Sequence, residues 1–197
     1  MKRLLSYLAL LGSWCLVGPV AAAVQLPGPL VEPDWLAAHL DKVVVLDVRK
    51  DVKSFTEQAK LAKDKKTGKL KLLAVGGHIP GAHLVDYKMV RADRMVHGLK
   101  VEKLVPEAAD FQALMQAAGA NSDSVLVVVS KGMSGLDMTM ATRLYWQIKY
   151  FGHDAVAVLN GGMAQWTVEG RPLSRDPAVA VAGNWQARIL SRRIYTR

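Results

Sequence analysis

The chain has 197 residues, 51% of them hydrophobic and 7% aromatic, with 26 Lys+Arg against 17 Asp+Glu. That length suits one domain with appendages, and the apolar content excludes a disordered chain. A single cysteine, Cys15, excludes a disulfide framework within the chain.

Residues 1–23, MKRLLSYLALLGSWCLVGPVAAA, open with two basic residues, run apolar from Leu4 to Val17 and end in Ala21-Ala22-Ala23. This is the layout of a secretory signal peptide, and the apolar run is shorter than the ~20 residues of a membrane span. Cleavage near Ala23 is expected, with a periplasmic or secreted product that keeps no membrane attachment. Trp14 stands where lipoprotein attachment at Cys15 would need a small residue. Cleavage would remove Cys15, Lys2 and Arg3, leaving 24 Lys+Arg against 17 acids and no thiol.

Residues 24–176 read as the folded domain. EPDWLAAHL (32–40) predicts a short helix with Pro33 in its first turn, where a missing N–H costs nothing. KVVVLDVR (42–49) is an apolar, β-branched run and predicts a buried strand. DVKSFTEQAKLAKD (51–64) reads as helical and passes into KLAKDKKTGKLK (60–71), which holds six lysines and one acid. The plain reading of that stretch is a solvated loop; the sharper one is an anion-steering flap or a site for an acidic partner. No aromatic residues interleave the lysines, and the product is expected to be exported, so no nucleic-acid partner is expected. GGHIPGAHLVDY (76–87) is a glycine-proline turn followed by a short strand.

PEAADFQALMQAAG (106–119) predicts a helix opened by Pro106 and closed by Gly119. VLVVVS (125–130) is a second apolar strand. In the helix expected after the next loop, Met140, Leu144, Ile148 and Phe151 make one buried stripe, and Gly152 ends it. DAVAVLNGG (154–162) is a third strand and MAQWTVEG a closing helix. Residues 177–197 read as a basic, linker-like tail.

Buried strands alternating with helices imply an α/β fold, a parallel sheet with helices on both faces. Right-handed crossovers place the strand C-termini on one edge. DVRKD, SKGMSG and NGGM are expected to gather there, with the GHIPGA turn at the opposite edge.

Taken together and in this order, VVVLDVR, GGHIPGAHLVDY, VLVVVS, ATRLYWQIKYFGHDAVAVLNGGMAQW and GRPLS resemble the rhodanese-like sulfurtransferase family over residues 30–175. The stretch from Arg143 to Trp166 is most similar to the first domain of tandem, thiosulfate-type members. The resemblance implies a central parallel sheet of about five strands. It also implies a cysteine at the end of the strand matching 125–130, on a loop whose N–H groups sit at a helix N-terminus. There a thiolate is stabilised, attacks a sulfane sulfur and holds a persulfide.

Ser130 occupies that cysteine position. A serine hydroxyl needs a base to act as a nucleophile and cannot hold a persulfide. No catalytic residue is therefore assigned, and first domains of tandem members commonly lack the cysteine. The expected role is the structural or regulatory half of a tandem thiosulfate sulfurtransferase, or its stand-alone remnant, with a second rhodanese domain as partner. Alternatives are a binding module for a small sulfur oxyanion or an acidic partner, and an enzyme using Ser130.

Ser130, Lys131, Gly132, Met133, Ser134 and Gly135 form the candidate anion-binding loop, with Ser134 and Asp137 spaced as a capping box. Asp47 and Arg49 match the family's acidic-basic pair; two apart on a strand, they point the same way and suit a structural ion pair. Gly77, Pro80 and Gly81 are backbone devices of the turn, with His78 expected to hydrogen-bond inside it. The five histidines show no ligand spacing, so no metal is expected, and no cofactor is implied. Met133, Met138 and Met140 read as loop and core residues, not as a copper site.

Overall fold

In this structure, a computed structural model, residues 24–68, 70–177 and 181–188 are described. The expected signal peptide lies outside them. Strand β1 (Leu30–Val31) leads into α1 (Pro33–Ala37), which starts at its proline, and then β2 (Val44–Arg49). The strands β3 (Lys60–Lys63) and β4 (Leu70–Ala74) form an antiparallel hairpin. After β5 (His83–Asp86), a second hairpin pairs β6 (Ala92–Val96) with β7 (Leu99–Leu104). The chain continues through α2 (Ala108–Ala117), β8 (Leu126–Val129), α3 (Gly135–Tyr150), β9 (Val156–Leu159) and α4 (Gly162–Val168).

The main sheet has five strands in the order β1-β9-β8-β2-β5, all parallel. Every residue of β8 and β9 is buried. That follows from helices covering both faces, which is why these strands are apolar throughout instead of alternating. On one face Leu46, Val48, Leu126 and Val128 pack against Phe111 and Met115 of α2 and Met140, Leu144 and Ile148 of α3. On the other, Val45, Val127 and Val129 meet Leu36 of α1 and Met163 and Trp166 of α4. Trp166 also donates from Nε1 to Pro172 O at 2.8 Å.

Three sequence expectations are corrected, and one hairpin is new. The helix expected over 51–64 is a 3₁₀ turn at Val52–Phe55 followed by β3, because pairing with β4 buries Leu72 in the second core. The β6–β7 hairpin was not anticipated; its turn, His97-Gly98, has both residues at positive φ (49° and 80°), the geometry a tight two-residue hairpin requires. Helix α2 begins at Ala108, two residues past Pro106, with Glu107 at its N-cap. Part of the tail read as linker is docked: Trp185 is fully buried in the first core, and Trp185 N donates to Ala120 O at 3.1 Å. An indole removes more apolar surface from water than any other side chain, so this segment holds to the domain.

Candidate active-site loop

Asp47 and Arg49 lie on the same face of β2, and both are fully buried. Arg49 Nε and Nη2 donate to the two carboxylate oxygens of Asp47 at 2.7 and 2.6 Å. The remaining donors reach Ser54 Oγ at 3.1 Å and the Gly77 carbonyl at 2.7 Å. Burial raises the Asp47 carboxyl above its ordinary value, and the Arg49 hydrogen bonds and charge offset that only in part. Because a buried guanidinium keeps its charge, the pair holds together as ions.

This knot corrects the placement of the glycine-proline turn. Gly77 is tied to the C-terminal end of β2, not to the opposite edge of the sheet, because Arg49 needs an acceptor beyond Asp47. His78 likewise bonds outside its own turn. Its Nδ1 lies 2.9 Å from Phe55 O, its ring stacks on Phe55 at 3.7 Å, and its backbone exchanges hydrogen bonds with Ser174. Pro80 and Gly81 (φ 79°) carry the chain from there back to β5, and Ala82 N closes the bend onto Ile79 O at 2.9 Å.

The three strand-end loops do converge. Lys131 Nζ lies 3.7 Å from Asp51 Oδ2, which joins the loops after β8 and β2. Met163 N donates to Ser130 O at 2.8 Å and Ala164 N to Lys131 O at 2.9 Å, which joins the loops after β8 and β9. Glycine is required on both sides of that second seam. A Cβ on Gly132 (φ 72°) would overlap the Gly161 carbonyl, and one on Gly162 (φ 56°) would overlap the Ser130 carbonyl.

Ser130 itself is fully buried, and its Oγ has no hydrogen-bond partner among the described residues. His153, the histidine beyond the far end of α3, places Nε2 2.8 Å from Ser124 O and does not reach it. The N-terminus of α3 is closed from within. Ser134 caps the helix by accepting from Asp137 N at 3.3 Å. Asp137 Oδ2 in turn accepts from Met133 N at 3.0 Å and from Ser134 Oγ at 3.1 Å. The positive helix end is thus neutralised by the chain's own carboxylate, and an external oxyanion would have to displace it. Met133 is half-exposed at the mouth, and Gly135 opens the helix. Asp51 was not singled out from the sequence as the partner of Lys131. No sequence signal marks it, because the pair joins loops 80 positions apart.

The parallel five-stranded sheet, flanked on both faces and with three loops gathered at its strand C-termini, defines an α/β domain of the rhodanese fold. The family model described as "Rhodanese-like domain" matches residues 32–169, and the chain belongs to that family. The sulfur carrier protein TtuD of Thermus thermophilus is 31% identical over 152 residues, covering 76% of this chain and 43% of its own. The 3-mercaptopyruvate sulfurtransferase of Escherichia coli is 28% identical over 138 residues, covering 69% and 43%. The crystal structure of SseA from Escherichia coli superposes with a TM-score of 0.59 at 23% identity, covering 83% of this chain and 58% of that one. The chain thus spans less than half the length of these two curated relatives.

Proposed function

We propose that this chain is an exported, non-catalytic rhodanese-like domain that serves as the structural or regulatory partner of a cysteine-bearing rhodanese domain. That role is filled either as one half of a longer chain or as its stand-alone remnant. The observation that carries the reading is Ser130. It follows β8 directly, where the family places its thiolate, is fully buried, and its Oγ has no hydrogen-bond partner among the described residues. Sulfur relay requires a thiolate that attacks a sulfane sulfur and displaces the donor's anion, holds that sulfur as a persulfide, and leaves again as thiolate when an acceptor takes the outer sulfur, which a serine hydroxyl does not provide. The Asp137 carboxylate supports the same reading, since it places negative charge where a catalytic thiolate would need positive potential.

The chain purified with Cys15 replaced by serine is expected to show no thiosulfate:cyanide sulfur transfer above a heat-denatured control. Turnover above that control would sink the non-catalytic reading. N-terminal sequencing of the exported product is expected to begin at Val24.

A further inference from the structure

Outside the 130–135 loop, a cavity of about 400 Å³ is lined by Lys88, Arg91, Asp93, Glu102 and Lys103. It lies where the segment after β5 meets the β6–β7 hairpin. We propose that this cavity binds a small oxyanion carrying two or more negative charges, held by Lys88, Arg91 and Lys103. The proposal is independent of the reading given to Ser130.

The charges lining the cavity are not balanced among themselves. Both carboxylates are engaged by Lys100, whose Nζ lies 3.4 Å from Asp93 Oδ2 and 3.3 Å from Glu102 Oε1. Asp93 Oδ1 also accepts the Lys103 N–H at 3.0 Å, and its carboxyl is held below the ordinary range first of all by that bond. Among the described residues, none of Lys88, Arg91 and Lys103 forms an ion pair. Arg91 is oriented by an aromatic face instead: its guanidinium lies 4.5 Å over the Tyr87 ring, and its buried Nε has no partner. A cation held by a ring keeps its outer N–H groups free for an anion.

The backbone sets where Lys103 points. Lys103 sits at φ 60°, a conformation uncommon for a residue with a side chain. Two hydrogen bonds hold it there: Asp93 takes its N–H, and Arg143 Nη2 donates to its carbonyl at 3.2 Å. Glycine would relieve the strain at once, yet the position carries a long cation on the cavity wall. The conformation belongs to a bulge in which Glu102 and Lys103 oppose Asp93, and bulges re-aim side chains, here onto the cavity wall.

The test is calorimetric titration of the full chain with pyrophosphate and, separately, citrate, at low salt against chloride of matched ionic strength. Saturable one-to-one binding is expected, weakened at least tenfold in Arg91→Ala and in Lys103→Gly. Lys103→Gly keeps the backbone geometry, so its melting temperature is expected to equal or exceed that of the unmodified chain while binding is lost. Lys131→Ala is expected to bind normally. Response to pyrophosphate alone assigns a phosphoryl ligand, and response to citrate alone assigns a carboxylate. No saturable binding of either probe overturns the proposal. So does unchanged binding in Lys103→Gly, or loss confined to Lys131→Ala, which would move the anion to the 130–135 loop.

Discussion

Arg49→Ala isolates the interaction on which the candidate site is built. The guanidinium makes four hydrogen bonds, to both Asp47 oxygens, to Ser54 and to Gly77. Truncation leaves the Asp47 carboxylate fully buried without a counterion and the Gly77 carbonyl short of its donor. Removing one partner of a buried ion pair costs about 3–5 kcal/mol, because the other charge stays desolvated. In a domain of this size each kcal/mol lowers the melting temperature by roughly 2–4 °C, so a fall of roughly 6–20 °C is expected. Thermal unfolding followed by circular dichroism measures it. The reasoning also demands that the double variant Asp47→Leu/Arg49→Met lose much less, since it removes the desolvated charge along with its partner. A shift under about 3 °C for Arg49→Ala, or a double variant as unstable as the single one, would refute the argument.

Three further outcomes are expected. Gly132→Ala and Gly81→Ala both place a Cβ at positive φ, but only the first meets backbone; Gly81→Ala should cost about 1–2 kcal/mol and Gly132→Ala clearly more, read by denaturant titration. In the Cys15→Ser background, Ser130→Cys should yield a thiol alkylated more slowly than a free model cysteine, and Ser130→Cys/Asp137→Asn one alkylated several-fold faster, because the amide removes negative charge from the loop. If Asp137→Asn leaves the rate unchanged, the carboxylate does not control that loop. Burial holds the imidazoles of His83 and His153 below their ordinary value. The folded state therefore prefers them neutral, so stability is full above about pH 6.5 and declines as the pH falls below it. The melting temperature should drop between pH 7.5 and 5.5, with a shallower slope in His83→Asn/His153→Asn.

Much of the architecture was legible in the chain because it depends on local pattern. Leu126–Val129 and Val156–Leu159 are apolar throughout, and Val44–Leu46 and Val48 share that pattern around the Asp47–Arg49 pair, as strands covered on both faces require. The Ser134–Asp137 spacing announced a cap, and Gly119 a helix end, because both are set within four residues. The β3–β4 hairpin was missed for the opposite reason. Lysine and alanine suit a helix, and only pairing across the turn, with Leu72 buried in the core, makes Lys60–Lys63 a strand.

From its sequence alone this protein is a rhodanese-like α/β domain with a serine where the family carries its thiolate, because residue order and side-chain chemistry are written directly in the chain. Tertiary structure alone decided what surrounds that serine: the Arg49–Gly77 bond spanning 28 positions and the Lys131–Asp51 contact between two loops. It alone also decided the docking of Trp185 and the gathering of Lys88, Arg91 and Lys103 around one cavity. Each of these joins groups whose separation in space is fixed by the packing of the sheet and helices, which spacing along the chain does not encode.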